Sequence, residues 1–66
     1  MKIGVDDLKK AVDWIRVHSN DVNIRIDTTE GNKMVIRCMD KYGSEVEIIL
    51  FEDSNMMPRI RKTETL

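Results

Sequence analysis

The chain holds one histidine, His18, and one cysteine, Cys38, and most enzymatic or metal chemistry open to it would have to pass through these two side chains. A covalent hydrolase needs a nucleophile within hydrogen-bond reach of a base that a third group orients. Ser19, Ser44 and Ser54 fall in predicted turns or loops. His18 falls in the last turn of a predicted helix, where a cation complements the helix dipole. Cys38 falls on the predicted core face of a strand, where a thiol is inert. One His with one Cys does not complete a closed four-ligand zinc site. The carboxylate pairs Asp6-Asp7, Glu45/Glu47 and Glu52-Asp53 occupy exposed or alternating positions without the apolar pocket that lifts a pKa for acid–base work. Gly4, Gly31 and Gly43 are isolated, so no glycine-rich phosphate loop is present. The expectation is a non-enzymatic chain with no catalytic residue, no cofactor and no metal site.

Binding chemistry is the alternative. The densest basic run is Pro58-Arg59-Ile60-Arg61-Lys62; with Arg25 and Arg37 it forms the residue set that could grip phosphates. Against that reading, eleven Lys and Arg face twelve Asp and Glu, for a formal charge of −1. Non-specific nucleic-acid affinity rests on a basic excess that this chain lacks. Single-stranded binders also present aromatic platforms, and Tyr42 and Phe51 do not compose one. Nucleic-acid binding through Arg25, Arg37, Arg59, Arg61 and Lys62 is therefore the second expectation, behind protein binding.

The elements that must position these groups follow from apolar spacing. Val5, Leu8, Ala11, Val12 and Ile15 recur at intervals of three and four, which predicts an amphipathic helix over residues 5–19. Asp6 and Asp7 sit in its first turn, Asn20 is placed to end it in a left-handed conformation, and Trp14 lies at the edge of the apolar stripe. Residues 22–27 alternate apolar and polar, the period of a half-buried strand. A turn at 28–32, in which Gly31 and Asn32 tolerate positive φ, leads to a strand over 33–39. A second turn at 42–44 leads to a strand over 45–51. Connections this short make the pairing antiparallel. The fold class is α+β: one N-terminal helix on a three-stranded antiparallel meander, with residues 53–66 as a tail, the whole a single domain over residues 1–66.

Pleating assigns Val22, Ile24, Ile26, Met34, Ile36, Cys38, Val46, Ile48 and Leu50 to the face that meets the helix. The other face carries Asn23, Arg25, Asp27, Lys33, Val35, Arg37, Met39, Glu45, Glu47, Ile49 and Phe51. Placing Ile26 opposite Met34 sets Asp27 against Lys33, and placing Ile36 opposite Ile48 sets Arg37 against Glu47; each opposite-charge pair is worth roughly 0.2–1 kcal/mol. Val35, Met39, Ile49 and Phe51 then form an apolar patch beside an edge strand, and a long apolar edge invites pairing. Either Met56, Met57 and Ile60 of the tail fold over it, or a second chain does. The expected partner-binding set is Val35, Met39, Ile49, Phe51, Met56 and Met57, where methionine suits an adaptable contact surface.

A 66-residue chain buries only ~60 % of its unfolded surface, and with a lone cysteine it has no internal disulfide to add support. That favours a homodimer or a docked protein partner. The lone thiol fits a reducing compartment, no apolar run approaches the ~20 residues that span a bilayer, and residues 1–6 lack a signal-peptide core; the expectation is cytoplasmic. The helix-then-three-strands order over Val5 to Phe51 resembles the opening of the double-stranded-RNA-binding domain, a family that the resemblance implies would continue into a lysine-bearing second helix. Pro58 and the short tail leave no room for that helix. In size and element order the chain is also similar to small phage-encoded inhibitors of host enzymes. The expected function is a small inhibitor, adaptor or antitoxin-like regulator that acts by surface binding.

Overall fold

The computed structural model describes residues 1–20, 23–53 and 55–63; the expectations for Val22, Ser54 and Glu64 concern positions outside these. Helix α1 (Val5–His18) precedes strands β1 (Arg25–Asp27), β2 (Lys33–Met39), β3 (Glu45–Phe51) and β4 (Arg59–Thr63). The strands form one antiparallel sheet in the order β1-β2-β3-β4. The fold is therefore α+β as the periodicity implies, with four strands where three are expected. β4 lies in the segment read as a tail. A single apolar residue, Ile60, stands among its cations, so the run carries almost no hydrophobic alternation. An edge strand needs little, and Pro58 sits just ahead of it, where proline is tolerated.

The helix is joined to the sheet at its C-terminal end. Ser19 takes an extended conformation, φ −122°, and its N–H donates to the Ile15 carbonyl. Its hydroxyl donates to the Met39 carbonyl at 2.6 Å, and the Lys41 N–H donates to the His18 carbonyl at 2.9 Å. These bonds satisfy groups a helix end otherwise leaves open. They also correct the expected left-handed stop at Asn20: no described non-glycine residue has positive φ, because the chain leaves the helix extended, toward the β2–β3 hairpin. The helix ends at His18, one residue short of the expected boundary.

The β2–β3 hairpin closes through Asp40. Its N–H donates to the Ser44 carbonyl, and its own carbonyl accepts from Gly43. Gly43 has φ 85°, as the last position of a three-residue hairpin loop requires. Gly31 and Asn32, expected to tolerate the same geometry, do not adopt it.

The β2–β3 register sets Ile36 against Ile48 and Arg37 against Glu47, as the charge matching predicts. The β1–β2 register differs by two residues: Ile26 faces Ile36 and Asp27 faces Val35. A two-residue shift keeps every side chain on its face, so the hydrophobic pattern does not distinguish the two pairings. Lys33 instead meets Glu30, at 3.0 Å. β1 is also shorter than expected, beginning at Arg25.

The core lies between helix and sheet: Ala11, Ile36, Cys38, Val46, Ile48 and Leu50, with Ile3, Leu8, Trp14, Ile15 and Met34 packed around them. One row across this face is all isoleucine, Ile26-Ile36-Ile48-Ile60. Its two central members are buried, but Ile26 is 62 % exposed and Ile60 43 %. Ile24 and Ile26, expected in the core, are thus outside it. A helix with its side chains is about 10–12 Å wide, whereas the outer strands of a four-stranded sheet lie about 14 Å apart. One helix seated over β3 cannot reach both flanks.

Candidate functional site

The sheet face away from the helix is where the charged residues gather. β-pairing aligns them in rows: Arg25-Arg37-Glu47-Arg61 in one, Asp27-Val35-Ile49-Arg59 in the next. β4 is the element that completes both rows, since it carries Arg59 and Arg61 to β3 on this face while Ile60 and Lys62 turn to the helix side. Of the basic set read from the sequence, Arg25, Arg37, Arg59 and Arg61 share the open face. Lys62 does not; its ammonium lies 3.7 Å from the Asp40 carboxylate.

Arg37 is the electrostatic centre of this face. Its guanidinium lies 3.3 Å from Asp27 and 3.2 Å from Glu47, one acid on each side. Asp27 also accepts from the Thr29 N–H at 2.9 Å and the Thr29 hydroxyl at 2.7 Å. The Thr29 N–H, then its hydroxyl, then Arg37 hold the Asp27 carboxyl below its usual pKa. Among the described residues Arg25, Arg59 and Arg61 form no ion pair. Counting Arg25, Lys33, Arg37, Arg59 and Arg61 against Asp27, Glu45, Glu47 and Glu30, which pairs with Lys33 and borders the same depression, the open face carries one cation in excess on a chain whose formal charge is −1.

The apolar set expected to bind a partner is not a patch. Val35 and Ile49 face each other on the open side, yet are only 9 % and 7 % exposed. Among the described residues no second layer covers them. Lys33, Arg37, Glu47 and Arg61 border the depression above them, so long side chains with apolar stems shield them. Met39 stands at the other end of β2. Phe51, half-buried, borders a groove with Gly4, Val5, Asp6 and Asp7 at the start of the helix. Met56 and Met57 lie in the β3–β4 connection and are exposed; neither borders the depression above Val35 and Ile49. The expectation that β3 is a bare edge is overturned by β4, which occupies that edge.

The remaining chemistry-bearing residues are spread out. Cys38 is buried. His18 is exposed and stacks on Trp14, ring centroids 4.7 Å apart. Asp40 is buried and accepts the Tyr42 and Ser44 N–H groups at 2.9 and 2.8 Å. The Ser44 N–H, more than the Tyr42 N–H and the Lys62 ammonium, holds its carboxyl below the usual value against the opposing effect of burial. Among the described residues no cluster of three or more His, Cys, Asp or Glu could hold a metal ion, and no helix is long and apolar enough to cross a membrane. What the sequence did not disclose is that β4 sets Arg61 opposite Glu47 and Arg59 opposite Ile49 on this face; the only signal for it was the Arg-Ile-Arg alternation. Comparison of the chain with protein-family models, with curated proteins and with solved structures finds no match.

Proposed function

We propose that this chain is a non-enzymatic protein-binding module, an inhibitor, adaptor or regulator, that docks through the open face of its sheet onto an acidic protein surface. The observation that carries this reading is the Arg25-Arg37-Glu47-Arg61 row. Its arginines stand in register across the sheet, and among the described residues three of the face's four, Arg25, Arg59 and Arg61, form no ion pair. Arginine is enriched at protein interfaces, and an ordered pattern of both signs supplies orientation and partner choice.

Nucleic-acid binding is the second reading, favoured by the convergence of Arg25, Arg37, Arg59 and Arg61. It ranks below the first because Glu45 and Glu47 stand on the central strand among those arginines, where they would repel phosphate. Tyr42 projects from a hairpin tip and Phe51 lies at the far end of β3, so neither offers a stacking platform on this face.

The test is affinity capture from the native host with the wild-type chain and the Arg59→Gln/Arg61→Gln variant as baits, folding of both being checked by circular dichroism. The expected result is a protein retained by the wild type and lost by the variant, with capture weakening as salt rises. Equal retention by both baits would refute the assignment of the face. A mobility shift of nucleic acid at low ionic strength, abolished by the same substitutions, would replace the first reading with the second.

A further inference from the structure

The two edges of the sheet differ in what they offer to a second copy of the chain. Hydrogen bonds from the Asp40 N–H to the Ser44 carbonyl and from the Glu52 N–H to the Asn32 carbonyl bracket β2 and β3. Because bonded pairs alternate along an antiparallel ladder, even-numbered residues of β2 direct their backbone to β3 and odd-numbered ones to β1. Arg37 and Val35 therefore bond Arg25 and Asp27, and the backbone N–H and C=O of Ile26 point away from the sheet. Among the described residues the outer edge of β1 is thus an open ladder position, with exposed isoleucines at Ile24 and Ile26.

Two identical strands that pair antiparallel about a two-fold axis bring residue i of one copy opposite a fixed residue j of the other. With the axis at Ile26, Ile26 meets its own counterpart, Arg25 meets Asp27 of the second copy, and Asp27 meets Arg25. Both charged contacts are attractive. An axis at Arg25 would set arginine against arginine, and one at Asp27 aspartate against aspartate, so the charges select a single register. β4 has no such register. An axis at Ile60 opposes Arg59 to Arg61, one at Arg61 opposes arginine to arginine, and one at Lys62 opposes lysine to lysine. Cations along an edge are a device against pairing: β4 carries three, Arg59, Arg61 and Lys62, whereas β1 carries one, Arg25, with Asp27 beside it.

Arg25 supplies an independent reason. It lies directly opposite Arg37, whose two acids, Asp27 and Glu47, already flank it. Like charges facing each other across a strand pair are unfavourable, and no acid among the described residues lies within ion-pair reach of Arg25. In the register centred on Ile26, Asp27 of the second copy provides one.

We infer that the chain forms a two-fold homodimer by antiparallel pairing of β1 with β1 of a second copy, centred on Ile26, so that the four-stranded sheet continues across the axis. The contact covers Ile24 and Ile26 and leaves Arg59 and Arg61 at the outer edges. It engages Arg25, one member of the proposed docking row, and leaves Arg37, Arg59 and Arg61 to that face. A strand this short makes a small contact, and small contacts give weak, concentration-dependent association.

The experiment is sedimentation velocity of the full chain from about 10 µM to about 1 mM, the range of weak complexes, on the wild type, Arg25→Asp, Asp27→Arg and an equimolar mixture of the two variants. The wild type is expected to rise from its single-chain mass of 7.7 kDa to twice that value. Each variant alone brings like charges together across the axis and is expected to stay at the single-chain mass. In the mixture, a chain with an acid on each side of Ile26 meets a chain with a base on each side, so dimers are expected to return. Wild type that remains at one chain mass at the highest concentration would overturn the inference. So would variants that dimerise like the wild type, or a mixture that does not recover. Circular dichroism of each variant excludes unfolding as the cause, and recovery on mixing is an outcome that misfolded chains do not give.

Discussion

Ile48 and Ile49 are neighbours on β3 with opposite surroundings, and shortening each by the same group measures how well the open face is shielded. Ile48 is sealed between sheet and helix. Ile49 lies on the face without a second layer and is nevertheless 7 % exposed, a burial that requires β4 to be docked and the arginine stems to lie over it. Removing one methylene costs about 0.8 kcal/mol in transfer free energy. At Ile48 no water can fill the void, so Ile48→Val should fall near the upper end of the usual range, about 1.5 kcal/mol. At Ile49 solvent can relax into the space, so Ile49→Val should cost about 0.8 kcal/mol, the transfer contribution alone. Ile49→Ala removes three carbons and should cost about 2.4 kcal/mol on the same scale. Against a total stability of roughly 3–10 kcal/mol for a chain of this length, these losses leave a measurable folded state. Urea unfolding followed by the fluorescence of Trp14, which packs on the core, gives the values. A loss under about 0.5 kcal/mol for Ile49→Ala, the scale of ordinary surface substitutions, would mean that Ile49 is hydrated and that β4 and the stems do not cover it, and the account of the open face would fail.

Other substitutions address single elements. By the alternation of bonded pairs, the Arg61 N–H points to β3 and the Lys62 N–H to solvent. Arg61→Pro should therefore cost about 2–4 kcal/mol through a lost bond and an unsatisfied carbonyl, and Lys62→Pro much less; equal losses in denaturant melts would contradict the β3–β4 pairing. Gly43→Ala should cost about 1–2 kcal/mol, since φ 85° is unfavourable for a side chain and nothing lies within 4 Å of the added carbon, and Gly43→Asn should cost less; a neutral alanine would show that the loop re-forms. Ser19→Ala should cost about 1–2 kcal/mol by removing the donor to the Met39 carbonyl, a loss checked by the thermal midpoint. The Asp40 pKa is depressed below its usual 3.8 in the folded chain, so its contribution to stability is present above that value and is lost as pH falls through the folded pKa. Asp40→Asn should make stability less dependent on pH in that acid window, and an unchanged slope in urea melts would remove Asp40 from the explanation.

Sequence periodicity located the helix, β2 and β3 because each places several apolar side chains on one face. The limits of β2 and β3 are those observed. It failed for β4, where the alternation rests on Ile60 alone and three cations read as a solvated tail. It also failed to limit the core, because pleating says which face a side chain takes but not how far a single helix extends over that face; Ile24 and Ile26 have the right parity and lie beyond its reach. The open-face patch failed for the complementary reason. Val35 and Ile49 share a face with charges, a pattern that reads as exposed, yet those charged side chains bring their own apolar stems to cover them.

The β1–β2 register shows how a small ambiguity in sequence becomes a functional difference. Both pairings of β1, two residues apart, keep Ile26 on the helix side and the charges on the other, so burial is indifferent between them. Charge is not. With Asp27 opposite Lys33, Asp27 and Glu47 would each neutralise one base, and Arg37 would hold Glu47 alone. With Asp27 opposite Val35, Asp27 and Glu47 both converge on Arg37, and Arg25 is left facing Arg37 without an acid of its own. The acids are thus concentrated on one arginine at the centre, while Arg25 at one edge and Arg59 and Arg61 at the other stay available for a second surface. Replacing Asp27 with Asn should release this arrangement: Arg37 keeps Glu47, the open face gains one net positive charge, and capture of an acidic partner should strengthen at low salt while self-association weakens. Capture and self-association both unchanged in Asp27→Asn would mean that Asp27 serves the Thr29 turn alone, and that the charge pattern of the open face does not govern what it binds.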